Sequence, residues 1–509
     1  MKKIRNKILL HPIMSFLILI LITLILSGIF GMLGLSTSYN TVNAIRGGYD
    51  STPVAVKSLL NLSGLKLIFR TTVSNFSAFA PLSMLLITLI GIGIMDKSGF
   101  LSSFFTLVTK KASKKTVTFV LSLITILASI MGDISFIILI PITALFFKYS
   151  KRNPKAGIIL AFAGLTCGTG INVFMNSIDS ALLEYTRLAA SSLDVNYTIS
   201  NHAYIIVMLF MTVLMSFVIT NIAEKITIPK LGKYEDEIEE EQYLDKYKKR
   251  GLLFSLVVGS IYLLIFIYNI IPGLPLSGNL LDYSQKFYID KLFGYNSFFN
   301  QGFVFVITMF FFLCGFFYGF GAKTIKNNRE LCNYLGHSLD GIGKPLVLIF
   351  FASTFISIFK DTNIGSVFTA LVADLISNIG FTGLPLIITT FVLVIVTTIF
   401  VPSAVSSWAI LSGVVVPVFM NAGLSAEFAE LIFRGASCVT YGLTPLMAYF
   451  VIYLAFLDMY SEEDKPINLF GAIREILPYS LITAGIWIIV FIVAYILGLP
   501  LGIGTFAVI

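Results

Sequence analysis

The chain has 509 residues, 57% of them hydrophobic and 12% charged, against about 25% charged in soluble globular proteins. A mean hydropathy of +0.91 excludes a soluble or disordered protein and indicates an all-α integral membrane protein. The net charge of +8 is no argument for nucleic acid, because the basic residues flank apolar runs, where they set topology.

Lys2, Lys3, Arg5 and Lys7 precede an apolar run over residues 8–35. The run is too long for a signal peptide and is read as a retained first span with a cytoplasmic N-terminus. Residues 36–75 are polar and mixed, an outer segment with one interfacial helix. Residues 79–95 return to the cytoplasm and end at Asp96-Lys97.

The stretch 117–149 is apolar but broken at Gly132-Asp133, with Lys110, Lys111, Lys114 and Lys115 before it and Lys148, Lys151, Arg152 and Lys155 after. Both ends are therefore cytoplasmic. Arms of about 12 to 16 residues fall short of the roughly 20 needed to cross. A carboxylate at mid-bilayer costs roughly 2.5–3.5 kcal/mol unless protein or water surrounds it. The segment reads as a re-entrant hairpin whose tip meets a wet site. An apolar segment interrupted by Gly and polar residues follows (residues 156–180).

Residues 184–202 form an outer loop and 204–222 cross inward. Residues 230–250 carry a charged run that reads as a cytoplasmic linker between two membrane halves, 1–229 and 251–509. Spans over 252–271, 302–320 and 345–359 follow, and residues 361–383 skirt the outer face. A second hairpin (385–420) and a second broken helix (428–456) repeat the earlier order. No Lys or Arg occurs between Asp361 and Phe433, so this hairpin enters from the outer side. A last span covers 477–497. The pattern is about nine spans and two hairpins in an inverted repeat, the arrangement of secondary transporters.

Asp133 and Asp179 each allow two readings: an intramembrane coupling residue, or a cap at a half-helix N-terminus. Arg434 can grip a carboxylate bidentately or snorkel to the interface. Trp408, one of two tryptophans, can stack on an aromatic substrate or pack against the neighbouring repeat. Ser403, Ser406, Ser407, Ser437, Thr440 and Thr444 offer hydroxyls beside the helix breaks. Glu184, Arg187 and Glu430 read as rim residues. The four cysteines and three histidines lack metal-ligand spacing. No cofactor is expected.

The runs NFSAFAPLSMLLITLIGIGIMDKSGF, GDISFIILIPITALFF, AFAG…NVFMNSIDSAL, SSWAILSGVVVPVFM and LTPLMAYFVIYLAF resemble the p-aminobenzoyl-glutamate transporter (AbgT) family from His11 to Leu499. The resemblance implies the same count of spans and hairpins, a homodimer in the plasma membrane, and a small anionic aromatic substrate. Members import p-aminobenzoyl-glutamate or export sulfonamide antimetabolites, driven by an ion gradient. An ion channel is a further alternative. Family positions fall on Asp133, Asn172, Asp179, Trp408, Arg434 and Pro445. The family's second-break aspartate is Ser437 here, its asparagine Tyr441, and its lysine before the tryptophan Ser407. Asp133 and Asp179 are then the coupling candidates, for H+ or for Na+ near Asn172 and Asp179. Asn172, Trp408, Arg434, Ser437, Thr440 and Pro445 are the substrate candidates.

Overall fold

The computed structural model describes residues 10–42, 49–111, 113–171, 173, 175–200, 202–232, 244–286, 288–294, 296–461 and 467–509. Asn172 and residues 233–243 of the expected linker lie outside the described residues.

The chain opens with α1 (Pro12–Met32), where Pro12 takes the first-turn position that tolerates a missing N–H. The polar segment that reads as an outer loop forms an antiparallel ribbon, β1 (Ser36–Val42) and β2 (Tyr49–Ala55). Its Thr, Tyr and Val residues suit extended backbone. Three helices follow: α2 (Leu62–Ser77), α3 (Ala80–Lys97) and α4 (Phe100–Lys111).

The first hairpin is α5 (Lys114–Leu127), a short 3-10 turn (Ala128–Met131) and α6 (Ile134–Tyr149). Gly132 makes the bend with φ of 60°, a conformation that costs glycine little. The first broken helix is α7 (Pro154–Gly168) and α8 (Ser177–Ser191), with Thr169, Gly170, Ile171, Val173, Met175 and Asn176 outside either helix between them. α9 (Ile205–Ile222) runs through a π turn into α10 (Ile228–Leu231). At the base of the hairpin, Arg152 donates to both Glu224 oxygens at 2.6 and 2.8 Å and to the Thr118 hydroxyl at 2.7 Å. Arg152 thus joins Thr118 of α5 to Glu224 just past α9.

The middle of the chain builds a peripheral layer: α11 (Lys246–Ile270), α12 (Tyr288–Phe293), α13 (Phe298–Ala322) and α14 (Asn328–His337). α11 buries Gly251, Ser255 and Gly259. Gly251 and Gly259 face α13 at Tyr318 and Cys314, the small-residue approach by which helices associate in lipid. The rest of α11 is a largely exposed apolar face.

The second half repeats the first. α15 (Gly343–Asp361) and α16 (Ile364–Asn378) stand where α3 and α4 stand, each pair separated by two residues. The second hairpin is α17 (Gly383–Phe400) and α18 (Ala404–Asn421). The second broken helix is α19 (Ala426–Thr440) and α20 (Ala448–Met459), and α21 (Leu469–Leu497) follows. The β ribbon lies across α16 and α18, where Thr37 donates to Asp374 at 3.3 Å.

Ten described helices are long and apolar enough to cross a membrane by length and composition. Three of them are hairpin arms: Lys114–Met131, Gly383–Phe400 and Ala404–Asn421, each reaching 18 residues. The arms are thus longer than the sequence breaks imply, because helical structure runs up to the tip residues. Length alone does not separate these arms from crossings. The tips do: Gly132 and Asp133 of one hairpin and Val401 to Ser406 of the other line the same cavity.

Candidate functional site

The cavity holds about 570 Å³ and lies where the two hairpin tips meet the two helix breaks, within the roughly 300–1,000 Å³ of small-molecule sites. Its wall is aromatic and aliphatic, with Phe136, Ile356, Phe359, Phe400 and Tyr449 prominent. Tyr449 stacks on Phe136 with centroids 5.1 Å apart and lines the cavity with Asp133. Three charged side chains line the cavity: Asp133, Lys360 and Arg434.

Arg434 is not free to take a ligand. Its Nη2 donates to Asp179 Oδ1 at 2.6 Å, and its Nη1 lies 3.6 Å from Glu430 Oε1. Its guanidinium sits over the Tyr204 ring at 5.5 Å. Asp179 is also a cap. Its Oδ2 accepts from the Asn176 amide at 3.0 Å, while Asn176 Oδ1 accepts from the amide of Asp179, a reciprocal capping box that starts α8. The Asn176 side chain in turn donates to the Ser129 carbonyl at the first hairpin tip, at 3.0 Å. Asp179 thus caps α8 with one oxygen and pairs with Arg434 through the other.

Lys360 ends α15 and makes no side-chain hydrogen bond or ion pair within 4 Å among the described residues; the neighbouring Asp361 feels its charge. It was missed because a lysine followed by an aspartate at the end of an apolar run reads as an interfacial anchor. Lys360 therefore supplies the cavity's available positive charge among the described residues.

Glu430 is a correction. Read as a rim residue, it is 0% exposed, with Oε2 accepting from Thr186 at 2.6 Å. The signal was present: Glu430, Arg434, Ser437 and Tyr441 follow the i, i+4, i+7, i+11 spacing of one helix face. Glu184 and Arg187 do sit at the rim, paired with each other at 3.1 Å while largely solvated.

Trp408 is fully buried and does not line the cavity. Its ring lies against Phe433 at 4.7 Å, and its Nε1 donates to Thr186 at 2.8 Å. Ser437 lines the cavity and donates to the Arg434 carbonyl at 3.0 Å. Thr440 shares a hydrogen bond with Thr398 of α17 at 2.7 Å, fixing the end of α19 to the second hairpin. Pro445 lies in the unwound stretch 441–447 and is not a lining residue, whereas Tyr441 is. The Tyr441 hydroxyl is buried without a hydrogen-bond partner among the described residues.

A second cavity of about 610 Å³ lies beyond Arg434 and Asp179, between α8, the start of α9 and α12. Arg434 lines both cavities. Nearby, Tyr197 donates to Glu427 at 2.6 Å; burial first, and that carboxylate second, push its phenol well above the ordinary range.

Two hairpin tips converging on a partly open, aromatic and sparsely charged cavity define a multi-pass membrane transporter. The chain belongs to the AbgT putative transporter family, whose sequence pattern it matches over residues 1–509. It is 27% identical over 506 residues to the p-aminobenzoyl-glutamate transport protein of Escherichia coli (strain K12), covering 99% of this chain and 96% of that one. Among solved structures it is similar to the Alcanivorax borkumensis YdaH transporter, at 25% identity and a TM-score of 0.49 over 97% of this chain and 100% of that one. It is also similar to Neisseria gonorrhoeae MtrF, described within a class of antimetabolite efflux pumps. There the identity is 30% and the TM-score 0.48, with 98% of each chain covered.

Proposed function

We propose that the chain is a secondary active transporter of a small aromatic anion of the p-aminobenzoyl-glutamate type, with the 570 Å³ cavity as its binding site. One observation carries this reading: both hairpin tips and both helix breaks meet around a cavity whose walls are aromatic and whose available cation is Lys360. Lys360 receives a substrate carboxylate. Phe136, Phe359, Phe400 and Tyr449 enclose the ring, and Asp133 with Tyr449 offers hydrogen-bond acceptors at the other wall.

Half-helix ends and hairpin tips of two inverted repeats form the site, and the core moves against the layer built by α11 to α14. Ion and substrate must each bind one state better than the other for a gradient to do work. The coupling ion is H+ or Na+. The protein sits in the plasma membrane as a homodimer with its N-terminus in the cytoplasm.

Labelled p-aminobenzoyl-glutamate in proteoliposomes, with pH and Na+ gradients imposed separately, tests substrate, direction and ion together. Gradient-driven accumulation or extrusion is expected under one of the two gradients. No net movement under either rejects the substrate assignment.

A further inference from the structure

Seven groups form one hydrogen-bonded and ionic chain through the middle of the molecule. Trp408 Nε1 donates to Thr186, and Thr186 donates to Glu430 Oε2. Glu430 Oε1 faces Arg434 Nη1, and Arg434 Nη2 holds Asp179. Asp179 accepts from the Asn176 amide, and Asn176 donates to the Ser129 carbonyl. The chain runs from an arm of the second hairpin to the tip of the first, and its Arg434–Asp179 link stands between the two cavities.

The charges in this chain do not balance. Asp179 and Glu430 are two carboxylates to one guanidinium, all three almost wholly buried. The other groups facing Glu430 make the excess worse or leave it unchanged. On α19 itself, Glu427 is a further buried carboxylate, held by the Tyr197 hydroxyl. From α8 come Thr186 and Asp179, from α18 the Trp408 indole through Thr186, and before α9 the Tyr204 hydroxyl, buried without a hydrogen-bond partner among the described residues. α17 has no charged residue. Lys155 of α7, and Arg474 and Glu475 of α21, stand far along those helices from Gly170 and Trp487, where the chain meets Arg434 and Gly435. An uncompensated buried carboxylate is expensive by several kcal/mol, and a proton removes the excess.

The two carboxylates are not equivalent. Asp179 has a guanidinium on one oxygen and an amide on the other, the partners of a permanent anion. Among the described residues Glu430 Oε1 has no hydrogen bond, and its guanidinium neighbour stands off at 3.6 Å. We propose that Glu430 takes up and releases the coupling proton, and that its charge sets how firmly Arg434 and Asp179 close the wall between the two cavities.

With the proton on Oε1, the Glu430 carboxylate becomes a neutral carboxyl and Arg434 is left to Asp179 alone. With it off, a second carboxylate competes for the guanidinium and draws it toward α19, away from the first repeat. The only bond made or broken is O–H. Glu430 lines neither cavity here, so the proton is exchanged with water when the wall opens. Each protonation state thus favours a different arrangement, which is what coupling requires.

The inference rests on the transport reading, and its test separates the two. Purified protein in liposomes is given labelled p-aminobenzoyl-glutamate, and net accumulation under a pH gradient is compared with gradient-free exchange. The carboxyl carbonyl stretch is followed by infrared difference spectroscopy as pH changes without substrate. For Glu430→Gln, accumulation should fall by roughly tenfold or more while exchange persists, and a protonated-carboxyl band of the native protein should vanish. Accumulation equal to the native protein, or a band that survives the substitution, overturns the proposal. If the native protein moves no p-aminobenzoyl-glutamate but the band is present and Glu430→Gln removes it, the substrate reading fails and the proton site stands. Should Glu430→Gln not fold, Glu430→Asp decides: a shifted band with partial accumulation supports the proposal, and an unshifted band ends it.

Discussion

The two repeats share an order of elements and differ in chemistry. The first hairpin turns on Gly132-Asp133 and puts a carboxylate into the cavity. The second turns at residues 401–403 and presents Pro402 and Ser403, without charge. The first helix break restarts in a capping box, Asn176 with Asp179. The second restarts at Met447 with no side-chain cap. The first repeat brings the anion to the ion pair, and the second brings Arg434 together with a carboxylate of its own. The copies differ in how charge is buried: the Asp179–Arg434 pair crosses between the repeats, whereas Glu430 and Arg434 lie on one helix.

The strongest test removes the arginine. Arg434→Met leaves the Asp179 carboxylate without its cation and should cost roughly 3–5 kcal/mol, seen as a lowered thermal midpoint with transport lost. Asp179→Asn combined with Arg434→Gln should recover most of the stability but not the transport. If Arg434→Met unfolds at the native midpoint, the pair does not join the repeats.

Steric contrast between the two breaks comes next. A Cβ on Gly170 would lie 2.5 Å from the Arg434 carbonyl oxygen, whereas one on Gly442 would meet the Ile476 Cγ2 at 2.7 Å. Backbone cannot give way as a methyl can. Gly170→Ala should therefore lose about 1–3 kcal/mol and Gly442→Ala less, as read by thermal unfolding in detergent. Equal losses would mean that the crossing of the breaks is looser than this geometry.

Asn176→Ala removes the cap that the second break lacks. A loss of about 1 kcal/mol is expected, with faster hydrogen exchange at the start of α8. Lys360→Gln should leave the unfolding midpoint unchanged and weaken an anionic substrate by roughly 1 kcal/mol at low salt, less as salt rises. Its measurement is the half-saturation concentration at two ionic strengths. An undiminished affinity would return the carboxylate to Arg434 and blur the distinction between a repeat that pairs charges and a cavity wall that offers one.

Most of the scaffold was legible in the sequence. Apolar runs broken by Gly and polar residues mark both hairpins and both interrupted helices, although the first interrupted helix runs on to Ser191, through the start of the expected outer loop, and the last helix starts at Leu469. The β ribbon was not, because its short polar strands have no apolar face to announce them. Among site residues, Asp133, Arg434 and Ser437 were found at the cavity, since polar groups in apolar surroundings stand out. Glu430 was missed because its position near the start of α19 suggests a helix end in water. What buries it is a contact across the repeats, with Thr186 some 244 residues away in the chain. Trp408 was drawn toward the substrate by its rarity, whereas Thr186 and Phe433 satisfy it inside the core. Such partners are set by tertiary packing, and local spacing does not carry them.

The protein's two tryptophans have one further consequence. Trp408 lies on Phe433 and Trp487 packs on Gly435, its indole donating to the Cys438 sulfur at 3.2 Å. Both indoles thus flank the few residues around Arg434 from opposite sides, and the chain has no others. Intrinsic emission from unlabelled protein is therefore a local optical reporter of α19, and each single-tryptophan variant would view its rearrangement from one side.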